Sequence, residues 1–203
     1  MAEEPMSAPG APPPAPAPSP AGGWQAPPPV AMPGIPGFVY ADVPNRFIAL
    51  IIDGFVMLLG LIVIGVALAA VGFRAGVLTT GTEFRASLIY AVISVVFGGA
   101  YFLYTWTSMR ASVGMKVLGM QLGNAFDGKT LTMEQAIKRY LALWGPSTLS
   151  GAFNGLTGIG ALISLVVLFY LVYLLYTTAK SPTKQGLHDI FANSVVVKAA
   201  RTV

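Results

Sequence analysis

Between Phe47 and Phe73 the chain runs for twenty-seven residues, FIALIIDGFVMLLGLIVIGVALAAVGF, with Asp53 as its one charge. About 20 apolar residues cross the hydrocarbon core of a bilayer as a helix, so this run predicts a transmembrane segment carrying a carboxylate. An ionised Asp at the centre of such a helix costs roughly 2.5–3.5 kcal/mol on insertion scales, so it calls for a partner or a task. Arg46 lies seven residues earlier. That interval is close to two helical turns, about 10.5 Å of rise, and sets both residues on one face.

The rest of the 203 residues agree with a membrane class: 55% are apolar and only 10% are charged, whereas a soluble domain carries about 25% charged residues. The net charge of +4 comes without a basic cluster interleaved with aromatics, so nucleic acid is not expected as a partner. It reads instead as topology, with basic residues holding loops on the cytoplasmic side. There is no cysteine, which excludes thiol catalysis, disulfides and cysteine-ligated metal. One histidine and eight acidic residues, Glu3 and Glu4 among them, leave little material for a multi-ligand metal site. No metal or other cofactor is expected.

Residues 1–37 read as a disordered Pro/Ala-rich tail, since thirteen of the sixteen prolines fall before residue 37. Proline at that density precludes helix and sheet. The tail lacks the basic start and apolar stretch of a secretory signal. It is expected to be a spacer, or a docking arm around Trp24. The membrane domain is expected over 38–200, with spans at about 47–72, 86–107, 137–153 (short) and 158–178. A cytoplasmic loop covers 108–135, and a C-terminal segment covers 180–203.

Within the loop, Met115–Leu122 looks like a strand and is expected to pair with Ser194–Ala199. Thr132 and Gln135 fit a capping box that opens a helix. Gly145-Pro146 is expected to break the third segment, and Gly98-Gly99 in the second span and the G-x-x-x-G of Gly151 with Gly155 are expected to let helices approach closely. The basic residues Arg110, Lys116 and Lys129 precede the third segment, Lys138 and Arg139 stand at its start, and Lys180, Lys184, Lys198 and Arg201 follow the last span. If both groups are cytoplasmic, the chain crosses an even number of times between Arg139 and Lys180. The expected fold is therefore all-α and integral to the membrane. It is a small bundle of three to four transmembrane helices, the third short or re-entrant, over a small cytoplasmic cap with room for a few short strands.

Asp53 has two readings: a cation or proton site, or half of a buried ion pair with Arg46 or Arg139. His188 and Asp189 are adjacent, and adjacent residues on a helix do not face each other. No activated Ser or Cys stands beside them, so no enzyme is expected. Asp189 is expected to cap a helix or to pair with an arginine at the cytoplasmic mouth.

Several of these elements, taken in order, resemble the RDD family of bacterial membrane proteins. An arginine opens the first membrane helix (Arg46), an aspartate sits within it (Asp53), and a second aspartate lies near the end (Asp189). ASVGMKVLGMQL, with Gly114, Lys116 and Gly119, is similar to that family's segment after the second helix. QGLHDIFANSVVV, with Gln185, His188 and Asp189, is similar to its C-terminal signature. The resemblance covers roughly residues 40–198. It implies a bacterial inner-membrane location and transport of an unspecified ligand, with cation/proton antiport for some relatives. It also implies an accessory role beside other domains, and fewer full spans than four. The leading expectation is a transporter-like protein exchanging monovalent cations for protons through Asp53. The rival is an accessory or assembly subunit that meets other membrane subunits or a second copy.

Overall fold

The computed structural model describes residues 30–32, 37–70, 83–153, 156 and 158–200. The tail before residue 30, Trp24 and Gly155 lie outside the described residues. After a short strand, β1 (Phe38–Tyr40), helix α1 covers Val43–Ala70. Asp42 starts it by accepting the Asn45 amide at 3.1 Å, and Pro44 sits in the first turn, where a missing N–H costs nothing. The helix thus begins a turn before the apolar run, which places Arg46 inside it. Helix α2 covers Glu83–Ser108. The next segment is a five-residue helix, α3 (Val113–Val117), followed by strand β2 (Met120–Asn124). Helix α4 runs from Met133 to Ala152, α5 from Ile159 to Lys180, and the short α6 from Leu187 to Phe191. Strand β3 (Ser194–Ala199) ends the fold.

The four long helices alternate in direction. Gly60 of α1 lies against Phe97 of α2, and Asp53, earlier in α1, meets Tyr101 later in α2. Between α2 and α4, Phe84 contacts Phe153 at one end and Phe102 stacks on Trp144 nearer the other, at 6.1 and 5.4 Å between ring centroids. Ser150 bonds Ser164, and Ala142 bonds Tyr170, so α5 returns along α4. The strands, α3 and α6 gather at the end where α1 and α4 begin and α2 and α5 finish. There β3 lies between β1 and β2 in an antiparallel sheet, with Tyr40 opposite Val197 and Gln121 also opposite Val197. Leu122, Val196, Met120 and Trp106 bury themselves between this sheet and the helix ends.

Among the described residues, three helical stretches are long and apolar enough to cross a membrane: Val43–Ala70, Ser87–Ser108 and Ile159–Lys180. Helix α4 is not among them, because Glu134, Lys138 and Arg139 occupy its first turns. Gly145-Pro146 does not break it. It is continuous for 20 residues, about 30 Å, and spans the length of the bundle. Pro146 lies inside it and removes the helix bond to the Ala142 carbonyl. The Tyr170 hydroxyl donates to that carbonyl at 2.5 Å, so a neighbouring helix supplies the lost partner.

Two further expectations need correction. The stretch Met115–Leu122 is not one strand. Ser112 caps α3 by accepting the Met115 amide, and Gly119 at φ +67° reverses the chain before β2 begins. Gly151 has open space where a Cβ would stand, so it does not mediate close helix approach. Gly98 does, as expected of the Gly98-Gly99 pair: a Cβ there would lie 2.9 Å from the Tyr140 hydroxyl.

Candidate functional site

Two carboxylates are buried where the helices meet the cap. Asp189 stands in the first turn of α6, where its Oδ2 accepts the Gly186 amide at 3.0 Å. Gly186 must be glycine here, since a Cβ would strike the Thr178 hydroxyl and come within 2.8 Å of the His188 ring. Arg46 donates to Asp189 Oδ2 at 2.6 Å, and Arg139 donates to Oδ1. Arg46 further donates from Nε to the Ala41 carbonyl and from Nη2 to the Val196 carbonyl, at 3.1 and 3.3 Å. Arg139 also donates to Ser194 Oγ at 2.7 Å, and its guanidinium lies 5.2 Å from the centroid of the Trp106 ring. One fully buried carboxylate therefore ties α1, α4, α6 and β3 together.

The electrostatics of this cluster are lopsided. Burial works to raise the Asp189 carboxyl, but the charges of Arg139 and Arg46 and the hydrogen bond from Arg139 outweigh it and hold the group well below the usual carboxylate range. Burial pushes His188 down to about 4, against the pull of Asp189, so the ring is neutral at pH 7. Its Nε2 lies 3.5 Å from Asp189 Oδ1. Two guanidinium charges thus face one carboxylate, a local surplus of one positive charge. Gln185 braces the loop by donating to the Ser194 carbonyl at 2.9 Å.

Asp53 sits deeper along α1 and is 3% exposed. Neither Arg46 nor Arg139 reaches it, which corrects the expected ion pair. Its Oδ1 accepts the Tyr101 hydroxyl and the Gly114 amide, each at 2.8 Å, and its Oδ2 accepts the Ser112 hydroxyl at 2.5 Å. The Tyr101 oxygen also accepts the Val113 amide at 3.1 Å. A Cβ on Gly114 would run into the Ala49 carbonyl, so glycine lets the start of α3 lie flat on α1 beside Asp53. Arg46 and Asp53 share a face of α1 but no partner. Arg46 reaches back into the cap, and Asp53 turns to α3.

Of the remaining signature residues, Lys116 is exposed at the end of α3, and Gly119 provides the positive-φ turn. Tyr101, Ser112 and Ser194 belong to the site without having been singled out from sequence. Ser112 carries a readable signal as a capping residue before Gly114; Tyr101, grouped with Tyr104 and Trp106 near the end of the second apolar stretch, reads from sequence as an interfacial aromatic. A partly open cleft of ≈ 570 Å³ lies between α1, α2 and α4 and adjoins Asp53 through Gly54. Ser94, Ser147, Thr148 and Tyr140 give it hydroxyl groups. Among the described residues no group of three His, Cys, Asp or Glu stands where it could hold a metal ion.

The model of the RDD family matches residues 40–193 of the chain. No curated protein and no solved structure matches it.

Proposed function

The chain belongs to the RDD family, and from that premise we propose that it is a non-catalytic accessory or assembly subunit of a larger membrane complex. Its charged signature residues hold the fold. The observation that carries this reading is the commitment of Asp53, whose two oxygens take three neutral donors. A site that loads a cation needs acceptor oxygens converging on open space, but here donors converge on the carboxylate. Proton loading would break at least one of those bonds and loosen α3 from α1. Asp189 is equally committed, to two arginines.

In this reading α4 makes the fourth crossing, its charged first turns lying in the cap and its Tyr140–Ala152 part in the bilayer. Arg110, Lys116, Lys129, Lys138, Lys180, Lys184 and Lys198 then all lie at the cap end, which the positive-inside rule assigns to the cytoplasm of a bacterial inner membrane. Both termini share that side. Partners are the bilayer and other membrane subunits or a second copy.

Monovalent cation/proton exchange is the second reading, favoured by the hydroxyl-bearing cleft that reaches Gly54 beside Asp53. Proteoliposomes separate the two. The accessory reading expects the parent protein to pass no more cation under a pH gradient than empty vesicles, and a stoichiometric partner to survive mild detergent extraction. A pH-driven cation flux that disappears in a folded Asp53→Asn protein would overturn it.

A further inference from the structure

A second groove, of ≈ 650 Å³, lies on the opposite side of α4 from the cleft, between α4, α5 and α6. Leu141, Ala142, Leu187, Ile190 and Phe191 make it apolar, and Tyr170 and His188 are its polar walls. Leu187, Ile190 and Phe191 are 40%, 55% and 60% exposed, although α6 lies outside the candidate membrane spans. A short helix beyond the last span, with its apolar side bare, fits the boundary between acyl chains and headgroups. Lys180 closes the last span, and Lys184 stands in the α5–α6 turn with its Nζ 3.1 Å from the Ala179 carbonyl. Lys138 lies one turn before Leu141 on α4 and is paired with Glu134 at 2.5 Å.

Charge supplies the other half of the fit. Behind the His188 wall, Arg46 and Arg139 share the single carboxylate of Asp189. The His188 Nδ1 and Arg139 Nε are buried without a hydrogen-bond partner among the described residues. The groove is therefore backed by an uncompensated positive charge, and neither Lys180 at the end of α5 nor Lys184 in the turn that leads to Leu187 has a carboxylate paired to it among the described residues. We propose that this groove binds one anionic glycerophospholipid, with its acyl chain against Leu141, Ile190 and Phe191 and its headgroup phosphate at Lys180 and Lys184. An apolar trough at membrane depth excludes a soluble anion, and the surplus charge selects against a zwitterionic lipid.

The test is native mass spectrometry of the full chain in a mild neutral detergent, titrated with dioleoyl phosphatidylglycerol or dioleoyl phosphatidylcholine. A lysine near an anionic lipid surface is worth about fivefold in affinity. The parent should therefore retain one phosphatidylglycerol under conditions that strip phosphatidylcholine. Lys180→Gln and Lys184→Gln should each lower retention about fivefold, while Lys116→Gln and Lys129→Gln, away from the groove, leave it unchanged. Ile190→Ser should weaken retention with the headgroup contacts intact. All four lysines have exposed or partly exposed side chains, and a monodisperse elution profile checks folding. Equal retention of the two lipids, an equal loss in the Lys116 and Lys129 variants, or displacement of the lipid by inorganic phosphate would overturn the assignment.

Discussion

Replacing Asp189 with Asn removes one negative charge from a place where two positive charges depend on it. In the parent the cluster of Arg46, Arg139 and Asp189 carries one surplus positive charge, and in Asp189→Asn it carries two. Arg139 is 2% exposed and the Arg46 side chain 11%, so water shields neither. Breaking a buried pair by removing one partner costs about 3–5 kcal/mol. Each charge-assisted hydrogen bond lost is worth about 1.5–3 kcal/mol, and two are lost, so a total near 5 kcal/mol is expected. At about 2–4 °C per kcal/mol for a chain of this size, the unfolding midpoint should fall by roughly 10–20 °C.

The same charge count predicts a partial rescue. Arg46→Met alone leaves one arginine on one aspartate, a neutral pair, and loses the contacts to Ala41 and Val196. Added to Asp189→Asn, it lowers the cluster charge from two back to one. The double variant should therefore lie well above the sum of the two single effects. The measurement is thermal unfolding in detergent followed by intrinsic fluorescence, with all four proteins forming a double-mutant cycle. Additive shifts, or a fall under about 3 °C for Asp189→Asn, would refute the view that one carboxylate holds both arginines.

Three other outcomes follow from single contacts. His188 is held near 4 against about 6.5 in an unfolded chain, so below pH 6.5 the unfolded state binds a proton that the folded state refuses. Stability should fall by about 3 kcal/mol as pH drops from 6.5 to 4, and His188→Gln should remove that slope in unfolding measured across the range. Gly114→Ala drives a methyl into the Ala49 backbone and should cost about 1–3 kcal/mol, read as a lower midpoint with easier proteolysis after residue 108. Tyr170→Phe leaves the Ala142 carbonyl unpaired opposite Pro146 and should cost about 1–3 kcal/mol; adding Pro146→Ala, which restores the helix donor, should recover most of it.

Local chemistry was legible in the letters, and long-range choice was not. The capping box at Thr132 and Gln135 forms as expected because both partners lie within one turn. Basic residues at Arg139 and Lys180 suggest from sequence a chain that returns on itself between them, and α5 does run back along α4. The partner of Arg46, by contrast, lies 143 residues away in sequence. Helix periodicity places Arg46 and Asp53 on one face but leaves open which neighbour each side chain meets. Met115–Leu122 reads as a strand from its apolar residues. The cap at Ser112 and the positive φ of Gly119 outweigh that pattern over so few residues. Strand β1 has three residues, too few for any period to register.

The two carboxylates are satisfied by different means, and depth explains the division. At the cap end, where long side chains reach from several elements, Asp189 takes guanidinium groups, and the guanidinium nitrogens spread over the carbonyls of Ala41 and Val196 and the hydroxyl of Ser194. Further along α1, an arginine would bring its own desolvation cost into the bundle. There Asp53 takes two hydroxyls and one amide, which need no counter-charge of their own. Such donors must be held in place to be useful, and the chain holds them by folding α3 back onto α1. The glycine at 114 permits that approach and the capping serine at 112 fixes it. Asp53 and α3 are thus mutually dependent: the carboxylate fixes where α3 begins, and the start of α3 makes the carboxylate tolerable at that depth. A residue that appears as an isolated charge in an apolar run is, in the folded chain, the seat of a polar clamp between the first helix and the segment following the second.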